Sequence, residues 1–184
     1  MRDLYGFGRP VDEPALLWQP GVLGAAWGPV VRFLAAELGV TLDEPLQEYV
    51  ERRPAPRELE TASVTIPAGT TGSVLFRVVG TVGGEPRITL EHVTRTAPDL
   101  DPDWPVPDHG EGCYRIEIEG EPSLRLELAH RGEHGDHNVS GMVMTAQRLV
   151  NAVPAVVAAS PGLVSAADLP LVSGRGLVAG EAST

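Results

Sequence analysis

Two β-rich runs joined by a glycine turn are the feature that most restricts the fold of this chain. Apolar and mixed residues alternate along the first run, with Val74, Phe76 and Val78 on one side and Ser73, Leu75 and Arg77 on the other. The turn that follows contains Gly83 and Gly84, and residues 87–95 are again rich in β-formers. Two such runs joined by a tight glycine turn predict an antiparallel hairpin.

The other periodic segments complete an α+β pattern. Strands are predicted at residues 46–53, 63–66, 113–119 and 123–129. Helices are predicted at residues 21–38, from residue 138, and at 155–159, where Pro154 starts a separate short helix. Gly39 is a plausible C-terminal cap for the first helix, and Pro29 either kinks it or marks its true first turn. The order predicts one largely antiparallel (mixed) sheet of about five or six strands with helices packed on one face.

Three segments lack a regular pattern. Residues 1–20 are broken by glycine and proline, but Leu4, Tyr5 and Phe7 suggest a segment that packs against a partner surface. Residues 96–111 form a long loop of the kind that serves as a lid or binding loop. Residues 163–184 are an apolar tail interrupted by glycine. A length of 184 residues suits one domain, so residues 1–184 are interpreted as a single domain.

Charge and cysteine content exclude several function classes. The net charge is -11, and none of the 14 basic residues is lysine. Nucleic acid and membranes are therefore not expected partners, and no lysine Schiff base can form on this chain. Cys113 is the one cysteine, so neither an internal disulfide nor a four-cysteine zinc site is available. With no visible signal peptide or spanning segment, a cytoplasmic location is expected.

The residue types that carry chemistry leave alternatives open. Residues 130–137 contain three histidines and two acidic residues. They could form a polar loop, or they could cap the following helix, whose N-terminus attracts the carboxylate of a ligand. A metal site is the third interpretation, and the spacing of the residues fits it least well. His92 lies in a predicted strand and is either a half-buried sheet residue or a proton-relay residue in a pocket. Neither Gly6-Phe-Gly8 nor Gly174-Arg-Gly176 has the strand-to-helix setting of a dinucleotide-binding loop, so no cofactor-binding residue is assigned.

Several short motifs resemble a known family when taken in order. They are Arg2-Asp-Leu-Tyr-Gly-Phe-Gly8, Pro20-Gly-Val-Leu-Gly-Ala-Ala-Trp-Gly-Pro29, Glu91-His-Val-Thr-Arg95, Tyr114-Arg-Ile-Glu-Ile-Glu-Gly-Glu-Pro122, Asp136-His-Asn138, Arg148-Leu-Val-Asn-Ala-Val-Pro-Ala155, Pro161-Gly-Leu163 and Asp168-Leu-Pro170. Together they resemble the C-terminal region of dihydrodipicolinate-reductase-like proteins. Within that group, the chain is most similar to the branch of 2,4-diaminopentanoate dehydrogenase and native amine dehydrogenase.

The resemblance implies a function for the chain. In that family an N-terminal Rossmann domain binds NADP or NAD, and the C-terminal α+β domain walls the substrate pocket and forms the dimer contact through its open sheet. The chain is expected to be this substrate-side domain without the Rossmann part, to bind no cofactor and no metal, and not to turn over alone. Its expected partners are an amine, amino acid or ketone substrate, a second copy of the chain, and a Rossmann domain. The pocket candidates are Trp27, His92, Trp104, His137 and Asn138.

Two other functions are compatible with the same residues. The chain could be a stand-alone small-molecule-binding module, or a subunit of a split enzyme, derived from such a domain. In that case a pocket lined by His92 and Trp104 is expected. A metal-dependent hydrolase built on residues 130–137 is the third hypothesis. The sequence identifies no catalytic residue.

Overall fold

The computed structural model describes residues 2–61, 64–132 and 137–172, with the backbone alone at His137. The helices are α1 (Arg2–Tyr5), α2 (Val22–Glu37) and α3 (His137–Ala158), and a 3₁₀ turn spans Leu16–Trp18. The strands are β1 (Gln47–Pro54), β2 (Leu59–Glu60), β3 (Thr65–Ile66), β4 (Thr71–Val82), β5 (Glu85–Arg95), β6 (Cys113–Ile118) and β7 (Leu124–Ala129). The chain divides into two compact units, residues 1–106 and 107–184. The interpretation of residues 1–184 as one domain stays a prediction.

All strand pairings in the described part of the chain are antiparallel. In the first unit, β1, β4 and β5 form a three-stranded sheet in the order β1-β4-β5, and β2 pairs with β3. In the second unit, β6 pairs with β7. The α+β class with a largely antiparallel sheet is therefore confirmed. The strands are divided among one three-stranded sheet and two strand pairs.

The hairpin of β4 and β5 turns where the two glycines predict it. Gly83 and Gly84 have φ angles of 61° and 81°, a region that side chains with a Cβ rarely adopt. Their amides donate to the two carboxylate oxygens of Asp43 at 3.3 and 2.8 Å. The hydrogen bond from the Gly84 amide, followed by one from the Thr81 hydroxyl, lowers the pKa of Asp43 below its ordinary value. The turn is thus held from outside the hairpin by an ionised side chain.

Helix α2 packs against the sheet through a one-sided apolar pattern. Leu23, Val31 and Ala35 are buried, and they follow the three- and four-residue spacing of one helix face. Gly39 has a φ angle of 67° just beyond the helix, so the predicted C-terminal cap is confirmed. Pro29 lies inside the helix, which begins at Val22, so it does not mark the first turn.

Strand β4 is buried along almost its whole length. Val74, Phe76 and Val78 are inaccessible to solvent, and Leu75 is only 5% exposed although it points to the opposite side. Tyr5 and Phe7, at 9% and 2% exposure, belong to the same core. The prediction that they contact a partner surface is therefore wrong. Their large apolar rings complete the core of their own unit.

The second unit contains a hairpin with two chemically different faces. One, which we call the apolar hairpin face, carries three cross-strand pairs: Tyr114 with Leu128, Ile116 with Leu126, and Ile118 with Leu124. The other carries ion pairs, with N–O distances of 2.5 Å for Arg115–Glu127 and 3.0 Å for Arg125–Glu117. Alternation along β6 and β7 separates the two sets because neighbouring side chains point to opposite sides.

Helix α3 is one continuous helix, so the prediction of a second short helix starting at Pro154 is wrong. Pro154 cannot donate to the carbonyl of Val150, but that residue is 60% exposed and water can hydrogen-bond it. Residues Asn138–Ala158 are long and apolar enough, by length and composition alone, to cross a membrane. Arg148, Gln147 and Asn151 lie opposite an apolar stripe, a pattern typical of a helix that packs on protein.

The close approach of β4 to residue 55 gives a test of the packing. A Cβ added at Gly72 would lie 3.0 Å from the backbone N and Cα of Ala55, which cannot move independently of the sheet. We expect Gly72→Ala to lower the free energy of unfolding by about 1–3 kcal/mol in chemical denaturation. Gly120→Ala is the control, because its Cβ would meet only the Pro122 carbonyl oxygen at 3.8 Å. Equal stability of the two variants would contradict the packing described for β4.

Candidate functional site

The first unit contains a contiguous group of aromatic rings. We call it the aromatic cluster, and its members are Tyr5, Phe7, Trp18, Trp27, Phe76 and His92. Phe76 lies at its centre, with its ring centroid 4.9 Å from that of His92, 5.5 Å from Trp27 and 6.0 Å from Trp18. These spacings are those of favourable aromatic packing. Strand β4, strand β5, helix α2 and the N-terminal segment each contribute at least one ring.

The aromatic cluster has a buried base and a partly buried rim. Tyr5, Phe7 and Phe76 are buried, whereas Trp18, Trp27 and His92 keep part of their surface accessible. We call these last three residues the aromatic rim. The indole N–H of Trp18 donates to the carbonyl oxygen of Tyr5 at 2.8 Å, which fixes that ring. The rings of Trp27 and His92 stack at a centroid distance of 5.8 Å. Two of the predicted pocket residues are thus brought together.

The surroundings of His92 favour its neutral imidazole form. Its Nε2 lies 2.7 Å from Oγ1 of Thr94, two residues along the same face of β5. Burial lowers the pKa of His92 below its ordinary value, because desolvation disfavours the charged ring. A neutral imidazole can accept a proton from a bound group, or donate one hydrogen bond while it accepts another. The aromatic rim therefore combines apolar surface with one proton acceptor.

Trp104, the third pocket candidate of the first unit, has a different environment. It is 5% exposed, and the guanidinium carbons of Arg53 and Arg95 lie 4.6 and 6.0 Å from its ring centroid. Arg95 also donates to the carbonyl oxygens of Leu100, Asp101 and Pro105 at 2.8 to 3.2 Å. The surroundings of Trp104 are thus filled by the protein itself. The hydrogen bonds from Arg95 fix residues 100–105, which belong to the first half of the predicted lid loop.

The remaining candidates lie in the second unit, at the start of α3. Asn138 is exposed in the first turn of the helix. The side chain of His137, together with residues 133–136 of the histidine-rich segment, lies outside the described residues. His130 lies within them, with its Nδ1 2.7 Å from Oγ of Ser140 and its ring stacked on Tyr114 at 5.5 Å. Among the described residues, no three metal-ligating side chains converge.

The structure also tests whether the glycines of the N-terminal segment could hold a dinucleotide. Gly6 and Gly8 follow the four-residue helix α1, with no strand before them. Their amides donate to the carbonyl oxygens of Arg2 and Thr71 at 2.8 and 3.0 Å, so neither is available to a phosphate. Gly174 and Gly176 lie outside the described residues. Gly6 and Gly8 therefore do not form an NAD(P) pyrophosphate site.

Two open hollows occur away from the aromatic rim. One of about 300 Å³ lies beside the end of α2 and is lined by Arg32, Val40 and Glu44 among others. The other, of about 370 Å³, lies along α3 and has an almost wholly aliphatic lining that includes Leu149, Val153 and Leu169. Neither contains a pocket candidate, and the polar residues in the lining of the second are Arg148 and Ser165 alone. The aromatic rim remains the best candidate site.

Sequence reasoning missed part of this site. The sequence motifs do not mark Trp18 as a pocket residue, and they place Phe76 only on one side of a strand with Val74 and Val78. In the hairpin of β4 and β5, Phe76 lies directly opposite His92. The turn at Gly83 and Gly84 alone would place Glu91 opposite Phe76, and a register shift between Gly80 and Thr81 brings His92 there instead. The position of Trp18 is not predictable either, because it depends on the tertiary path of an irregular segment.

Comparison with known proteins identifies the family. The family model for the 2,4-diaminopentanoate dehydrogenase C-terminal domain matches residues 26–180. The chain belongs to this family. An amine dehydrogenase from Streptomyces virginiae is 40% identical over 173 residues, which cover 93% of this chain and 48% of that protein. The resemblance predicted from the sequence motifs is thus confirmed.

A solved structure supports the same fold. The structure of amine dehydrogenase from Mycobacterium smegmatis matches with a TM-score of 0.62 and 21% identity, and the match covers 93% of this chain and 46% of that one. The chain therefore spans about half the length of each of these two relatives. At this identity, the structural match shows the fold alone.

The burial of His92 predicts a pH dependence of stability. Because its pKa is lower in the folded protein, the unfolded chain binds more protons once the pH falls below about 6.5. We expect His92 to make the folded state progressively less stable as the pH falls through this range, and His92→Gln to remove that contribution. Denaturation at pH 5 to 8 measures it. His109→Gln, at an exposed histidine, should keep the wild-type dependence. A His92→Gln profile parallel to wild type would contradict the assignment.

Trp104 can be tested as a structural residue. Truncation of a buried Trp leaves a large cavity, so we expect Trp104→Ala to lower the free energy of unfolding by about 3–5 kcal/mol. Trp104→Phe keeps an aromatic face between the two guanidinium groups and should lose less. Thermal and chemical denaturation measure both variants. An unchanged stability of Trp104→Ala would instead favour the pocket role that the sequence suggests.

Proposed function

We propose that this chain is the substrate-side half of an NAD(P)-dependent amine dehydrogenase, in which the aromatic rim forms a wall of the pocket for an amine, amino acid or ketone. The observation that carries the proposal is the stack of Trp27 on the neutral His92, in a chain of this family. The amine dehydrogenases that match it supply the reaction class.

The aromatic rim suits a small substrate with an amine or carbonyl group. The indole face of Trp27 offers apolar contact to the carbon chain and attracts a cationic ammonium group. A neutral His92 does not repel that ammonium, and its imidazole can accept a hydrogen bond from it. Both rings are held by Phe76 beneath them, so a substrate would meet a surface that is already ordered.

The dinucleotide is expected to bind outside this chain. The amides of Gly6 and Gly8 are already engaged, and the chain corresponds to about half of its relatives. We therefore propose that a nucleotide-binding half, covalently linked or separate, brings NADP or NAD to the aromatic rim. This chain alone would then bind substrate weakly and would not turn over. His137 and Asn138 remain pocket candidates in this proposal.

A homodimer and a cytoplasmic location belong to the same proposal. The dimer is suggested by the family resemblance, and the location by a chain with a single cysteine. No metal is assigned a role. A stand-alone binding module or a subunit of a split enzyme is the second candidate, and the packing of Trp27 and His92 on Phe76, which involves residues of this chain alone, supports it.

A fusion protein tests the proposed function. The N-terminal half of the Streptomyces virginiae amine dehydrogenase is joined to this chain, and oxidation of NADPH or NADH is followed with ammonia and a series of small ketones and keto acids. We expect reductive amination by the fusion. Trp27→Ala and His92→Gln should each lower kcat/KM by about tenfold or more, because both alter the wall that positions the substrate.

His109→Gln is the matched control for the histidine, and circular dichroism checks that each variant is folded. Unchanged kinetics of the Trp27→Ala fusion would contradict the assignment of the aromatic rim. If the fusion is inactive while the chain alone binds amines in calorimetry, the binding-module alternative is correct.

A further inference from the structure

The stacking partners of His92 fix the plane of its ring but not the direction in which each ring edge points. Phe76, Trp27 and Tyr5 lie at centroid distances of 4.9, 5.8 and 6.2 Å, with interplanar angles of 23° to 30°. The χ2 torsion of histidine is roughly twofold, and a rotation of half a turn leaves the flat imidazole in the same place. Aromatic packing alone therefore tolerates two opposite orientations of the ring.

The hydroxyl of Thr94 distinguishes these two orientations. Its Oγ1 lies 2.7 Å from Nε2 of His92, which is a hydrogen-bond distance. In the flipped ring, Cε1 would stand where Nε2 does now, and C–H groups approach oxygen only to a C···O distance of about 3.3 Å. Leu90, the neighbour of His92 on the other side along the same face of β5, has no polar side-chain atom to compensate. Thr94 thus selects one orientation.

The selected orientation leaves the second ring nitrogen open. Within the described residues, Nδ1 of His92 has no hydrogen-bond partner, and the buried side-chain polar atom without one is Oγ of Ser73. Nδ1 therefore keeps accessible surface, although the ring as a whole is partly buried. An accessible ring nitrogen beside the indole of Trp27 is the atom that a substrate at the aromatic rim would contact.

The proposed substrate decides which proton state this nitrogen needs. A neutral imidazole has one N–H and one lone pair, and an ammonium group donates hydrogen bonds but accepts none. Nδ1 must then present its lone pair, so the ring proton lies on Nε2. Nε2–H can donate to Oγ1 of Thr94, because a threonine hydroxyl has two lone pairs and this residue is exposed enough to give its own proton to water.

We propose that Thr94 is a positioning residue, which holds His92 so that the lone pair of Nδ1 faces the ammonium group of the substrate. The inference rests on the proposed function, because it requires a substrate at the aromatic rim. Thr94 acts through the imidazole and does not itself bind the substrate. The motif Glu91-His-Val-Thr-Arg95 thereby gains a physical reason for a threonine two residues after the histidine, since such residues share one face of a strand.

Heteronuclear NMR of the imidazole nitrogens tests the orientation and the proton position in the chain alone, without turnover. The signals of His92 are assigned by their loss in His92→Gln. Near neutral pH, we expect one ring state with a protonated Nε2 and an unprotonated Nδ1. Thr94→Val removes the hydroxyl and should split or broaden these signals, because the ring can then flip. Thr94→Ser keeps the hydroxyl and should restore the single state.

The fusion with the relative's N-terminal half gives the functional measurement, in the direction of amine oxidation. Thr94→Val should lower kcat/KM by about three- to tenfold, the effect of one neutral hydrogen bond, and Thr94→Ser should recover most of the loss. Thr89→Val makes the same change at an exposed position of β5, so neither the kinetics nor the His92 signals should change. Circular dichroism checks that each variant is folded.

Two spectra would overturn the inference: a wild-type chain with the proton on Nδ1 of His92, or a Thr94→Val chain whose His92 signals match wild type. The wild-type spectrum is decisive even if Thr94→Val does not fold. Equal kcat/KM for Thr94→Val and Thr89→Val in an active fusion would overturn it as well. A fusion that is inactive, although His92 shows the expected ring state, would contradict the proposed function and leave the orientation by Thr94 standing.

Discussion

The contact between Phe76 and the rings around it holds the first unit together. Phe76 lies at the middle of the most deeply buried strand and touches Trp18, Trp27 and His92, which come from three other parts of the chain. Burial of large aromatic surface provides much of the stability of a small unit. Because the same rings end at the surface as the aromatic rim, core packing and the candidate site share one support. A change at Phe76 should therefore affect both.

This coupling explains the character of the site. His92 is desolvated by the rings that hold it, so its neutral state is a consequence of packing rather than of a charged neighbour. Trp27 is positioned by helix α2, whose buried residues pack on the sheet. The surface is ordered without a ligand, which lowers the entropy cost of binding. Such a wall can position a substrate but supplies no redox chemistry.

The sequence predicted some levels of this structure better than others. The hairpin at Gly83 and Gly84 and helix α2 follow from local periodicity and turn chemistry, and both were located correctly. Tyr5 was misjudged because an irregular segment carries no periodic signal of where its rings go. The helix expected to start at Pro154 was absent, because an exposed backbone tolerates a proline that local rules treat as a break. Trp104 shows the same limit, since arginines 51 and 9 residues away in sequence enclose it.

The central claim is that this chain provides the substrate wall while the dinucleotide is held elsewhere. The most direct measurement is a titration of the purified chain with NADPH, followed by nucleotide fluorescence. If the dinucleotide is held elsewhere, NADPH binding should not saturate up to about 1 mM. The dissociation constant would then be too high for a specific pyrophosphate site in this chain. Saturable binding in the micromolar range would contradict this claim, because a nucleotide site would then exist within these 184 residues.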